Sequence, residues 1–73
     1  MDEKKLLETF GFNLKIERMR SRLSQEQLAE IVDVSKTYIS NVETAKHNIS
    51  ITNAYKLSRA VNKTIEDLLQ ENS

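Results

Sequence analysis

The stretch Gln25–Thr44, QEQLAEIVDVSKTYISNVET, most constrains what this chain can become. Leu28, Ala29 and Val32 share one helical face, and Ile39 and Val42 begin a second face after a break at Asp33-Val34-Ser35. The pattern describes two short amphipathic helices joined by a tight turn. Helices that cross steeply must approach closely, and small Ala29 sits where a bulkier side chain would wedge them apart. Ser35 is placed to cap the second helix, its hydroxyl accepting from a free backbone N–H of the first turn. The outward positions of that helix are Lys36, Thr37, Tyr38, Ser40 and Asn41. They form a donor-rich face suited to base edges or phosphates in a major groove.

At 73 residues the chain allows one domain, 1–73, with a limited core, so stability is expected to be modest unless a second copy pairs with it. There is no Cys, hence no disulfide and no thiolate metal site. His47 is the lone histidine and cannot assemble a zinc site by itself, so no metal and no cofactor is expected. No apolar run approaches the length of a membrane span, and MDEKKLLETF lacks the apolar centre of a signal peptide. The expectation is a cytoplasmic protein. Eleven basic residues balance eleven acidic ones, which argues mildly against nucleic-acid binding. Their distribution softens the objection. Lys15, Arg18, Arg20 and Arg22 cluster late in the first helix, Lys36, Lys46 and His47 flank the second half of the motif, and Glu66, Asp67 and Glu71 lie at the far end. A polarised neutral protein can present a positive face.

Zero Pro and a single Gly favour helices with short connections, and the spacing predicts an all-α fold of five helices. The first runs from about Glu3 to Ser21, with residues 1–9 as an N-terminal extension. Its stripe is Leu7, Phe10, Leu14 and Met19, with Phe12, Ile16 and Leu23 nearby. Gly11 inside it costs roughly 1 kcal/mol relative to Ala and invites a kink or a later start. The second helix opens at Ser24 with Gln27 three residues on, a capping-box pattern, and ends near Val32. The third spans Ser35 to about Glu43. Thr44 to Asn48 form a loop. A fourth helix opens at Ser50 or Ile51, carries Ile51, Ala54, Leu57, Ala60 and Val61 at helical spacing, and ends at Asn62. Thr64 caps a short fifth helix, with Ile65, Leu68 and Leu69 facing inward. Residues 70–73 are expected to fray.

From about Phe10 to Leu69 the chain resembles the lambda-repressor/Cro (Xre-type) family of helix-turn-helix DNA-binding proteins. The resemblance is carried by Leu14 and Arg18 in the leading helix, Leu23-Ser24-Gln25, Tyr38-Ile39-Ser40-Asn41-Val42-Glu43, and the closing Ile65-Glu66-Asp67-Leu68-Leu69. The run Lys-Thr-Tyr-Ile-Ser further resembles the recognition helix of restriction–modification controller proteins. The resemblance implies a five-helix domain with its helix-turn-helix at helices 2–3. It implies base contacts from Lys36, Thr37, Tyr38, Ser40 and Asn41, and phosphate contacts from Arg18, Ser24, Gln25, Lys46 and Asn48. It pairs Arg18 with Glu43, tying the third helix to the scaffold. Two departures stand out: Asp33 holds a turn position usually given to Gly, a place where φ > 0 is required and Asp is tolerated, and the loop has Thr44 and Ile49 where Gly and Pro are usual.

The implied function is a sequence-specific regulator of transcription, most simply a repressor, bound as a homodimer to a palindromic operator in double-stranded DNA. One recognition helix covers about half a typical operator, which is why relatives pair on half-sites about one turn apart. Val61, Ile65, Leu68 and Leu69 are the family's usual dimer surface, and the N-terminal turn bearing Leu6 and Leu7 is a second candidate. Such a protein works in a bacterial or phage-type setting, on the nucleoid when bound. No small-molecule effector and no membrane partner is expected. An enzyme has little support, with no Gly-rich phosphate loop, no Cys nucleophile and no second His. The rival is an antitoxin-like or other protein-interaction module built on the same helices.

Overall fold

The computed structural model describes residues 2–71, which form α1 (Glu3–Arg20), α2 (Gln25–Val32), α3 (Lys36–Glu43), α4 (Ile51–Ala60) and α5 (Ile65–Leu68). No strand occurs among the described residues. Each helix begins at a side-chain cap. The hydroxyls or carboxylate of Asp2, Ser24, Ser35, Ser50 and Thr64 accept a backbone N–H three residues on, satisfying one of the donors a helix start leaves free. Ser24 with Gln27 and Thr64 with Asp67 complete reciprocal boxes. The stops are as local as the starts. Arg22, Asp33, Ala45 and Asn62 all stand at positive φ near 60°, one after each of α1 to α4.

The core joins Phe10 and Leu14 of α1, Leu28, Ala29 and Val32 of α2, Ile39 and Val42 of α3, Ala54 and Leu57 of α4, Val61, and Leu68 of α5. Fully burying one such side chain stabilises the fold by roughly 1.5–3 kcal/mol. In this frame α2 lies on α3 and α4, α1 on α3 and α5, and α4 on α5. Helix α3 is thus held from two sides, by α1, the longest helix, and by α2.

Gly11 does not interrupt α1, contrary to the kink or late start its sequence position suggested. Its value lies in tertiary approach. A Cβ there would stand 2.3 Å from the carbonyl oxygen of Val42 and 3.0 Å from that of Glu43, so α1 and α3 cross backbone to backbone. The α1 stripe also differs from expectation. Leu7 is half-buried, Phe10 and Leu14 are buried, and the face then closes on Arg18, leaving Met19 and Phe12 largely exposed. Asn13, also on the inner side, donates its Nδ2 to the carbonyls of Leu68 and Gln70, both at 2.8 Å. At the end of α5 the backbone N–H groups of Leu69 and Gln70 serve the carbonyls of Ile65, Glu66 and Asp67, and Asn13 supplies the donor for that of Leu68.

In α4, Ile51 is 79% exposed, so it is not part of the buried stripe. It occupies the first position of the helix, before the inward face begins at Ala54 and continues through Leu57, Ser58 and Val61. Gln70 and Glu71 follow α5 as exposed, non-helical chain. The rest of the expected fraying segment, residues 72–73, lies outside the described residues. No described helix is long and apolar enough to cross a membrane.

Candidate nucleic-acid interface

The turn between α2 and α3 is built by Asp33 at φ 61°, ψ 52°, the left-handed region that Asp enters more readily than most non-Gly residues. The N–H of Val34 donates back to the carbonyl of Ala29 at 3.0 Å, closing the turn over the end of α2. Ser35 then starts α3, its Oγ accepting the N–H of Tyr38 at 3.0 Å. Ile39 and Val42 are buried, and Lys36 and Thr37 are exposed at the N-terminal end of the opposite face. Ser40 and Asn41 are half-buried further along it. A helix with its inner edge locked and its N-terminal residues free is the geometry in which side chains reach base edges.

Tyr38 behaves differently from its neighbours. Its ring packs against the core and its Oη accepts a hydrogen bond from Asn53 Nδ2 at 3.0 Å. This contact was not legible in the sequence, because Asn53 is 15 residues away and in a different helix.

Behind α3 lies a buried ionic network. Arg18 Nε donates to Glu43 Oε2 at 2.6 Å and Arg18 Nη2 to Glu43 Oε1 at 3.2 Å, a two-pronged pair. Arg18 Nη1 donates to the carbonyl of Leu23 at 2.8 Å. Gln25 Nε2 donates to the same Glu43 Oε1 at 3.0 Å. The Glu43 side chain is 1% exposed, so its charge depends on these donors. The network joins the end of α1, the start of α2 and the end of α3. Arg18, expected also at a phosphate, is enclosed and engaged on three nitrogens within the protein, as a strut of the scaffold.

Ser24 is exposed, but its hydroxyl is engaged as the α2 cap; Gln25 is half-buried beside it, at the first position of α2. Free N–H groups and the helix dipole favour an anion at such a start. After α3 the chain turns through Ala45 at φ 59°, with the Lys46 N–H on the carbonyl of Asn41 at 2.8 Å. This tight exit leaves Lys46, His47 and Asn48 exposed, although the loop lacks Gly and Pro. Asn48 stands at the rim of a groove of about 230 Å³ whose walls include Leu6, Leu7, Phe10, Ile49, Ile65 and Leu69.

The four residues expected at a dimer surface divide between the core and that groove. Val61 and Leu68 are 3% and 1% exposed, spent in the protomer's own core, and have no surface to offer. Ile65 and Leu69 are half-buried and line the groove together with Leu6 and Leu7. The N-terminal turn and the fifth helix, separate along the chain, thus line one groove. Among the described residues no three His, Asp or Glu side chains gather as metal ligands would.

Residues 14–68 match the family model described as Helix-turn-helix, the span that contains α2, α3 and the network behind them. The chain belongs to the helix-turn-helix family, of the Xre type. This helix-turn-helix protein is 35% identical over 63 residues to the control protein C.MunI of Mycoplasma sp, covering 85% of each chain. It is 38% identical over 69 residues to the control protein C.SmaI of Serratia marcescens, covering 94% of this chain and 79% of the relative. Its fold overlays the crystal structure of the restriction-modification controller protein C.AhdI from Aeromonas hydrophila with a TM-score of 0.80 at 34% identity, covering 85% of this chain and 94% of that one. The protein is a DNA-binding regulator of transcription, and its relatives are controllers, not enzymes.

Proposed function

We propose that the protein recognises a specific palindromic operator in double-stranded DNA as a homodimer, with α3 in the major groove. The observation that carries this reading is the bracing of α3. Its inner residues Ile39 and Val42 are buried, its C-terminal Glu43 is held by Arg18 and Gln25, and Lys36, Thr37 and Asn41 are left to face a partner. Lys36 donates to guanine O6 or N7, Asn41 pairs with adenine, and Thr37 offers a hydroxyl and a methyl; Ser40 adds a short donor. Each good contact discriminates by roughly 1–3 kcal/mol. Ser24 and Gln25 at the start of α2, and Lys46 beyond α3, contact phosphate and set register without reading sequence.

The second copy docks on the groove walled by Leu6, Leu7, Ile65 and Leu69, at the end of the molecule built by α1 and α5. Two-fold pairing there gives two recognition helices and a two-fold operator with half-sites about one turn apart. Occluding a promoter makes the protein a repressor. Restriction–modification controllers are the relatives whose role it shares. It works on the nucleoid, in the cytoplasm.

A protein-interaction reading draws on one observation, a second groove where exposed Ile31 and Tyr55 meet Lys56 and Arg59. Salt separates the two readings, because a DNA complex loses affinity steeply as salt rises and an apolar protein contact does not. The residue assignment is tested with Asn41→Ala and Lys46→Ala. The first shifts preference among operator variants; the second weakens all of them alike and flattens the salt slope by about one. Identical behaviour of the two variants refutes the division into base and phosphate contacts.

A further inference from the structure

We infer that Asn53, outside the helix-turn-helix, is a positioning residue that fixes the Tyr38 hydroxyl as a neutral hydrogen-bond donor to a DNA phosphate. The inference rests on the reading that α3 enters the groove, and deepens it by naming what Tyr38 addresses.

A phenol has one proton to give and lone pairs to accept with. Asn53 Nδ2 donates to Tyr38 Oη at 3.0 Å, so the accepting role is filled by the protein. The single proton therefore points away from Asn53, and no acceptor takes it among the described residues. Asn53 itself is held in place. Its N–H is fixed on Ser50 Oγ at 3.1 Å, in the first turn of α4, so its amide approaches the phenol from a rigid element. Tyr38 is held at its other end as well, with its ring half-buried against the core. A ring pinned at both ends cannot swing into the groove after a base edge. It presents a donor along the flank of the recognition helix, where the DNA backbone runs, and tyrosine hydroxyls are among the groups that hold phosphates. A phosphate oxygen is also the strongest acceptor available there, and a hydrogen bond to a charged acceptor is roughly twice as strong as a neutral one.

The arrangement has a signature that separates it from lysine contacts. A hydroxyl neutralises no charge and releases no counterion, so its loss lowers affinity without changing the dependence on salt. Being directed at the backbone, it lowers affinity equally for all operator variants.

The test is a double-mutant cycle on the full chain, measured by duplex binding at several salt concentrations and well below the melting temperature of each variant. Tyr38→Phe is expected to weaken binding roughly tenfold, equally across operator variants, with an unchanged slope of log K against log salt. Asn53→Ala is expected to weaken binding severalfold in the wild-type background and not at all in the Tyr38→Phe background. Asn53→Ser, too short to reach the phenol, repeats the arm if the alanine variant unfolds. Equal losses from the Asn53 change in both backgrounds, no loss in either, or an operator-dependent loss from Tyr38→Phe overturns the inference. Lys36→Ala is the control for the underlying reading. If it weakens binding while the cycle shows no coupling, only the Asn53 inference fails; if neither Lys36→Ala nor Tyr38→Phe affects binding, α3 is not the reading helix.

Discussion

Gly11→Ala sets two effects of opposite sign against each other. In an isolated helix the substitution gains up to about 1 kcal/mol, because alanine restricts the unfolded chain and suits the helix interior. In this fold the new Cβ would lie 2.3 Å from the Val42 carbonyl oxygen, whereas ordinary contact begins at 3.4 Å. The obstacle is backbone, so no rotamer change relieves it, and α1 must retreat from α3 by roughly 1 Å. A gap of that size forfeits about a quarter to a half of the dispersion energy along the contact. It acts where Phe10 and Leu14 meet the α3 side of the core. Overpacking of this kind costs typically about 1–3 kcal/mol and more when backbone must move. With the propensity gain subtracted, the net destabilisation is about 2 kcal/mol. In a domain of this size that lowers the melting temperature by roughly 8–16 °C. Thermal unfolding followed by circular dichroism measures it. A melting temperature equal to or above the wild type would show that helix propensity outweighs the crossing and would refute the close-approach argument.

Three further outcomes follow from the same geometry. Glu43→Ala strands the Arg18 guanidinium and the Gln25 amide, and breaking a buried pair costs about 3–5 kcal/mol; replacing both Arg18 and Glu43 with Met recovers most of that loss in urea unfolding, and a double variant as unstable as the single one contradicts this. Ala45→Gly relieves a non-glycine residue at φ 59° and raises stability by about 1 kcal/mol, read as a higher melting temperature; an unchanged or lower value refutes it. The Asp67 carboxylate titrates below its ordinary value of 3.8, first because the Thr64 backbone N–H donates to it and then because the Thr64 hydroxyl interacts with it. The native state thus binds this proton more weakly than the unfolded one, so the contribution is present above pH 3.8 and is lost as pH falls through the lower native value. Carboxyl chemical shifts in an acid titration check it, and a midpoint at or above 3.8 contradicts it.

What was legible in the chain was local. Ser24 with Gln27, Ser35, Ser50 and Thr64 announce helix starts because a cap and the N–H it accepts lie three residues apart. Asp33 announces the turn because few residues take φ > 0. The family pattern added Arg18 with Glu43, a pair 25 residues apart that no spacing rule yields. What was not legible depends on which helix arrives opposite. Gly11 reads as a weak point until α3 is laid across it. Asn13 carries no signal along the chain; its role shows only where the end of α5 needs a donor. The resemblance offered Val61 and Leu68 as a dimer face, and apolar spacing does not say whether the neighbour is the same protomer or another. Asn53 becomes visible only when α4 meets the tyrosine of α3.

Whether α3 reads DNA sequence decides the rest. The most direct measurement is selection of a randomised duplex library on the intact protein at two salt concentrations. Enrichment of one two-fold symmetric site is expected, with half-sites about one helical turn apart and affinity that falls steeply with salt. A well-folded protein that enriches no sequence at either salt concentration would contradict it.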